Sequence, residues 1–364
     1  MDFTFSEEQQ AAAEAAKAVF SGVKPDAVPS PSRTTGPVAD DFDRPLWRKL
    51  AEADLTGLVL DERYGGSGLD VTALCLVLRE AAAPLARVPL LETAAAALAL
   101  QRYGDDELCA ELLPQVVRGE YVLTAASAGR TGHGPAELAV TARQDGDSWV
   151  LDGVHTAVPW AQQADAIVLP AHVGESGRPV LALVRRSSAG ITLADQVTTT
   201  GERLAEVRLD AVRPDAVLDA DGAWEWLRAV LTVGTCAQAL GLGQRVLDMT
   251  SEYAGKREQF GYPIATFQAV AVQAADRFID LKAMEATLWQ AVWRLKPADV
   301  AVAKIWAAEG VRRTVQTAQH LHGGFGADTD YVLHRYHAWA KQLELSLGPA
   351  SAHEEELGEL LAAG

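Results

Sequence analysis

The sequence predicts an α+β fold in which a helical segment, a short-stranded β segment and a second helical segment follow one another. Three observations carry this. Residues 1–118 show helix-capping signals and helical spacing of apolar residues. Residues 119–222 break into short alternating or apolar runs between Gly, Asp and Ser clusters. Residues 223–364 return to long runs with apolar positions three and four apart.

In the first region, Ser6 followed three residues later by Gln9 is a capping box opening an Ala/Glu-rich helix. Pro25 to Pro45 is rich in Pro, Ser and Asp and reads as a long surface loop. Helical patterns resume at Leu46–Ala53, Val71–Ala83 and Leu90–Tyr103, with a tight turn at Gly65-Gly66-Ser67-Gly68. In the second region the strand candidates are Tyr121–Ala125, Ala139–Arg143, Trp149–Asp152, Ala166–Pro170, Val180–Val184 and Leu204–Leu209, which predict a small antiparallel β domain. In the third, Phe267, Ala271, Ala274, Phe278, Leu281, Leu288 and Val292 trace one apolar stripe that stops at Pro297, and a second helix runs from about Val300 to His320. Long helices with wide apolar faces pack as a bundle. Trp289, Trp293 and Trp306 on these helices read as core or interface residues.

Composition narrows the function classes. The net charge is −17, from 32 basic and 49 acidic residues, which disfavours nucleic acid and anionic membranes as partners. A phosphate-bearing cofactor would then need locally placed Arg, Lys or backbone N–H groups. No apolar run reaches the ~18 residues that span a bilayer, and the N-terminus lacks a signal-peptide pattern. The three cysteines, Cys75, Cys109 and Cys236, have no metal-ligand spacing, and their sparseness points to a reducing cytoplasm.

Four motifs carry the chemistry. Arg257-Glu258-Gln259-Phe260-Gly261, with Pro263 and then Phe267-Gln268, is followed later by Gln319-His320-Leu321-His322-Gly323-Gly324-Phe325-Gly326. Alone, each would serve as helix–turn punctuation or a helix C-cap. Together they strongly resemble the C-terminal domain of the acyl-CoA dehydrogenase family, whose signature is Arg-x-x-Phe-Gly-x-x-x-x-x-Phe-Gln and a later Gln-x-x-Gly-Gly turn. The resemblance implies an N-terminal helical domain (1–118), a middle β domain (119–222) and a C-terminal helical bundle (223–364). It also implies FAD shared between subunits. Arg257 would grip the pyrophosphate of a neighbour's FAD, because a guanidinium holds phosphate oxygens in a fork. Gln259, Phe260, His320, Gly323 and Gly324 would complete that contact, with His320 standing where the family usually has Gln.

The third motif, Asp330-Tyr331 through Arg335-Tyr336 to Ala340-Lys341, is similar to the family's run before its catalytic loop. The family's glutamate then falls on Leu347 of Ser346-Leu347-Gly348-Pro349, and its alternative site on the preceding helix falls on Leu231, followed by Thr232. Leucine cannot accept a proton, and loss of a general base costs ~10²–10⁴ in rate. Catalytic residues are therefore expected to be absent. The fourth motif lies in the β region. Thr124-Ala125-Ala126-Ser127-Ala128-Gly129-Arg130-Thr131 keeps only Thr and Ala-Gly of the family's Thr-Glu-Pro-x-Ala-Gly-Ser-Asp, and its Trp-x-Thr falls on Ala157-Val158-Pro159.

The losses cluster in the half that holds a subunit's own flavin ring, while much of the half that completes a neighbour's site is kept. The resemblance thus implies the non-catalytic subunit of a heteromeric, α2β2 acyl-CoA dehydrogenase, similar to actinobacterial enzymes acting on steroid-derived CoA thioesters. The partner would supply the glutamate for α,β-dehydrogenation, with an electron-transfer flavoprotein or similar acceptor downstream. Two alternatives stand beside it: a homo-oligomeric flavoenzyme with a relocated base such as Glu344, and a non-enzymatic CoA-binding scaffold. Glu344 itself reads as solvent-facing, and Glu354, Glu355 and Glu356 as a solvated charge run. His334 and His337 lack a third metal ligand, and His133, His155, His172 and His353 read as surface or loop residues.

Overall fold

Ser6 opens the first helix, α1 (Glu7–Phe20), by the expected reciprocal cap: its hydroxyl accepts from the Gln9 N–H and the Gln9 side chain accepts from the Ser6 N–H. This computed structural model describes residues 4–127, 139–146 and 148–363. The Pro-rich segment that follows α1 runs over the surface but is pinned at several points. Arg335 donates to the carbonyls of Val28 and Pro29, Ser30 Oγ lies 2.8 Å from His334 Nε2, and the Val38 N–H donates to Gly201 O. The helices α2 (Arg44–Glu52), α3 (Val71–Ala82), α4 (Leu90–Tyr103) and α5 (Asp106–Val117) complete this region. Asp43, Asp70 and Asp105 cap α2, α3 and α5 by accepting from backbone N–H groups three residues on. α5 is absent from the sequence expectations.

Eight strands form one sheet: β1 (Leu123–Ala125), β2 (Val140–Asp145), β3 (Ser148–Pro159), β4 (Ala166–Val173), β5 (Arg178–Arg185), β6 (Ile191–Val197), β7 (Arg203–Val212) and β8 (Ala216–Leu218). Their order is β6-β7-β3-β2-β4-β5-β8, with β1 beside β4. The sheet is mixed, which corrects the expected antiparallel domain: β1 and β2 each run parallel to β4. The hairpin-linked pairs β2–β3 and β4–β5 are antiparallel, as short turns require. The parallel pairs join strands that have no hairpin between them. β4 is buried on both faces. Ala166 and Val168 pack into the helical core, and Ile167 and Leu169 into a second cluster with Val140, Val184 and Val207.

The C-terminal region begins with α6 (Ala223–Lys256), whose 34 residues span about 50 Å. It is buried along most of its length, and at Gly241 an added Cβ would sit 2.1 Å from Arg79 O, so only glycine lets α3 and α6 approach this closely. A short hairpin, β9 (Glu258–Gln259) and β10 (Tyr262–Pro263), leads into α7 (Gln268–Arg294), α8 (Pro297–His322), α9 (Leu333–Leu345) and α10 (Ala350–Ala363). Pro297 ends the apolar stripe by opening α8 at its first position. The stripe is buried only in its second half: Leu281, Leu288 and Val292 are core, whereas Phe278 is 52% exposed.

Two histidines expected at the surface are buried. His155 Nε2 pairs with Pro170 O across the sheet and His353 Nε2 with Leu347 O, so each buried ring has a hydrogen-bond partner. His172 is half-buried beside Thr141, and His133 lies outside the described residues. Glu356 is not part of a solvated run: it is half-buried against Arg228 and His353, and its carboxyl is held low by hydrogen bonding to His353 and by Arg228. All three cysteines are buried and free. Among the described residues no helix is long and apolar enough to cross a membrane.

Candidate functional site

The Arg257 motif sits where α6 ends. The Arg257 N–H donates to Tyr253 O at 2.8 Å and its carbonyl accepts from the Ile264 N–H at 2.7 Å, which closes the β9–β10 hairpin. The two turn residues, Phe260 and Gly261, have φ of 54° and 81°, a left-handed pair suited to a tight hairpin. Glycine adopts this freely; phenylalanine does so at a cost of about 1–2 kcal/mol. Phe260 is nevertheless 91% exposed and sits edge-to-face with Phe267, with ring centroids 6.3 Å apart. Arg257 and Gln259 are exposed as well, and Arg257 has no carboxylate partner among the described residues.

The glycine motif caps α8. Gly323 takes φ 61° and ψ −141°, a combination that disfavours a side chain. An added Cβ at Gly323 or Gly324 would meet nothing within 4 Å, so the turn is open on its outer face. His320 is exposed one turn earlier, and Gln319 is half-buried, its backbone against Gly326.

An aromatic stack that the sequence reading missed joins the two motifs. Tyr253 lies over His322 with centroids 4.2 Å apart, and His322 is flanked by Tyr331, which also packs on Phe325. His322 Nδ1 pairs with Ala318 O, and burial holds its pKa below the usual histidine value. The signal was present, since Tyr253 precedes Arg257 by four residues and His322 abuts the glycine pair, but aromatic spacing alone does not announce stacking. Beside this stack opens a cleft of about 440 Å³ lined by Arg245, Glu252, Tyr253, Lys256, Arg257 and Tyr331. The cleft offers the guanidinium groups of Arg245 and Arg257 beside the aromatic side chains of Tyr253 and Tyr331, with Lys256 paired to Glu252, a set that suits a phosphate-bearing ligand.

The two positions to which the resemblance assigns a base are both leucines. Leu347, at φ 59° between α9 and α10, packs against the helical core. Leu231 is buried in α6, and the Thr232 hydroxyl is spent on Arg228 O at 2.7 Å. Glu344 does not face solvent as expected. Its side chain is 13% exposed and paired with Lys341 at 2.6 Å, because the last turn of α9 folds onto α8. There the buried Lys304 donates to the carbonyls of Leu343 and Glu344 at 2.7 and 3.1 Å, and burial brings its pKa down to about 8. His334 has both ring nitrogens engaged, by Ser30 and Tyr331 O.

In the sheet, Thr124 is fully buried and its hydroxyl donates to Pro159 O at 2.6 Å. The Ala157 N–H donates to Gln196 Oε1. The remainder of that motif, Ala128, Gly129, Arg130 and Thr131, lies outside the described residues. Trp160, one residue past Pro159, is buried against Phe42 of the Pro-rich segment.

Residues 6–120 match the acyl-CoA dehydrogenase N-terminal domain and residues 229–361 the acyl-CoA dehydrogenase C-terminal domain. The acyl-CoA dehydrogenase FadE27 of Mycobacterium tuberculosis is 37% identical over 378 aligned residues, covering 100% of this chain and 99% of that protein. The chain belongs to the acyl-CoA dehydrogenase family. Among solved structures, this acyl-CoA dehydrogenase chain is similar to one in the ChsE4-ChsE5 complex from Mycobacterium tuberculosis, with a TM-score of 0.90, 36% identity and full coverage of both chains. It is also similar to a chain of a variant of the Tcur3481-Tcur3483 steroid ACAD, with a TM-score of 0.91, 38% identity and 98% coverage of each chain.

Proposed function

We propose that this chain is the non-catalytic subunit of a heteromeric, FAD-dependent acyl-CoA dehydrogenase, assembled as α2β2 with a catalytic subunit of the same family. The observation that carries the reading is the pairing of two opposite states in one chain. Both base positions are apolar, at Leu347 and Leu231, while Arg257 and Phe260 are exposed after α6, and Gly323 and Gly324 are exposed after α8, two helix ends that the Tyr253–His322 stack joins.

Bound FAD supplies the hydride acceptor of α,β-dehydrogenation. The residues present fit one part of it. Arg257 would hold the pyrophosphate of the partner's FAD, and Gln259, Phe260, His320 and the Gly323–Gly324 turn would pack on its adenosine end. They do not fit this chain's own ring site, where the Thr124 hydroxyl is buried and committed and Pro159 has neither N–H nor hydroxyl. The partner would therefore supply the carboxylate and the flavin-ring contacts, and the chain alone would be inactive. The division into domains at 1–118, 119–222 and 223–364 belongs to the same proposal. So do a cytoplasmic location and electron delivery to an electron-transfer flavoprotein or similar acceptor.

The acyl group is proposed to be steroid-derived. Support comes from the whole-length likeness to a steroid ACAD. A relocated base at Glu344 is disfavoured by its ion pair with Lys341 and its packing beside Lys304. The test is to purify the chain alone and after co-expression with a catalytic acyl-CoA dehydrogenase encoded beside it. A colourless chain that joins a yellow, active complex supports the reading; a yellow chain that oxidises an acyl-CoA unaided defeats it.

A further inference from the structure

A cleft of about 460 Å³ opens where the end of α1 and the chain just after it meet α3, α6 and α9. Its floor is apolar: Phe20, Met249 and Tyr336 are buried there, and Val23 and Val332 half-buried. Its rim is cationic. Lys17, Lys24 and Arg245 line it, all three are exposed, and none has an ion pair among the described residues. The chain carries a net charge of −17, so acidic partners are plentiful, yet the two carboxylates on this rim are engaged elsewhere. Glu80 lies 3.7 Å from Arg79, and the charge of Asp26 acts on buried Arg335. The neutral polar groups are spent as well. Ser21 Oγ donates to Ala18 O at 2.7 Å, and the Tyr336 hydroxyl donates to Ala83 O at 2.8 Å. Arg245 lies against that tyrosine hydroxyl, which holds its guanidinium over the floor.

We infer that this cleft binds an amphipathic anion, a carboxylate or phosphate head on an apolar body. The head pairs with Arg245, Lys17 and Lys24, and the body lies on Phe20, Val23 and Met249. A guanidinium grips such a head through a fork of N–H donors, and the two lysines add charge without fixing geometry. The volume is that of a small-molecule site. The neutral groups decide against a nucleotide. A base and ribose need several hydrogen-bond partners, and Ser21 and Tyr336 have each spent their one donor. The site stands apart from the proposed function, since nothing in it calls for flavin or a partner subunit. Arg245 and Met249 also line the cleft beside Arg257, whereas Lys17 and Lys24 do not. The two lysines therefore decide which cleft a ligand occupies.

The test titrates the full chain by calorimetry with dodecanoate and with dodecyl phosphate, each below its micelle-forming concentration. The wild type is compared with Lys17→Glu and Lys24→Glu. Both side chains are exposed, so each variant should unfold at the wild-type temperature; if one does not, the other decides. Lys49→Glu on α2 makes the same change of charge away from the cleft. The expected result is one saturable site per chain for at least one probe, the tighter of the two naming the head. Its affinity should fall about tenfold in Lys17→Glu or Lys24→Glu, the scale of one charge-assisted hydrogen bond, and hold in Lys49→Glu and Arg257→Ala. Inorganic phosphate should bind far more weakly, because it leaves the apolar floor uncovered. Absence of a saturable site for both probes overturns the inference. Equal binding of dodecyltrimethylammonium, which has the same tail and the opposite charge, also overturns it and leaves only an apolar patch. So does an equal loss in Lys49→Glu, or a loss in Arg257→Ala, which moves the ligand to the neighbouring cleft. None of these results bears on subunit pairing, so the proposed function is tested separately.

Discussion

Tyr253 stacks on His322 with ring centroids 4.2 Å apart and planes inclined by 23°, which ties the end of α6 to the glycine turn that ends α8. The two motifs are some 60 residues apart in sequence, and this contact sets their spacing. Tyr253→Ala should lower stability by about 1–2 kcal/mol and weaken flavin retention in the complex, even though Arg257 is untouched. Denaturant titration and flavin release measure the two effects separately.

The same stack predicts an acid response. The folded His322 has a pKa below the free value of 6.5 because burial disfavours its charged form. The unfolded chain therefore binds more protons over the interval beneath 6.5. Stability should be intact above 6.5 and fall as pH drops through that value toward the folded pKa. Replacing His322 by Gln should flatten this part of the profile in thermal unfolding.

Arg257→Ala should leave the isolated chain as stable as wild type, since its side chain is exposed and carries no ion pair among the described residues. In the complex it should release flavin about tenfold or more readily, the scale of one charge-assisted hydrogen bond to phosphate. Dialysis of the complex with absorbance readout checks this.

Lys304 makes an alkaline prediction. Burial lowers its pKa from 10.5 to about 8, so the unfolded chain binds the extra proton between those values. Stability attributable to this residue should rise as pH climbs from about 8 to 10.5. The difference between wild type and Lys304→Met isolates it. The methionine variant should also loosen the last turn of α9, which loses the donor to Leu343 O and Glu344 O.

Glu92 behaves in the opposite sense. It lies in the first turn of α4 between buried Leu91 and Thr93, and desolvation raises its pKa from 4.5 to about 7 against the favourable pull of its own backbone N–H. Its contribution to stability falls as pH rises from 4.5 to about 7. Glu92→Gln should stabilise the chain at neutral pH and have little effect near 4.5, as chemical denaturation at the two values would reveal.

Much of the helical frame was legible because caps and apolar spacing are local signals. Ser6–Gln9 and the Leu90–Tyr103 run translate directly into α1 and α4. The strands β6 and β8 were not legible. β6 lies at the sheet edge with a mostly exposed pattern, and β8 has three residues, too few for a period. The parallel pairing of β1 and β2 with β4 was hidden for a different reason, because it is set by long-range register and not by the strands' own residues. At the candidate site, Arg257 and the glycine pair were visible as motifs. The Tyr253–His322 stack, the inward turn of Glu344 and the burial of His353 depend on how α8, α9 and α10 fold over one another, which no short window encodes.

The central claim is that flavin belongs to only one of two kinds of subunit, and counting it in the intact assembly tests this most directly. Native mass measurement of the co-purified complex should show α2β2 with one FAD for each heterodimer, and none on the isolated chain. One FAD for every chain, or flavin bound to this chain alone, would contradict the account.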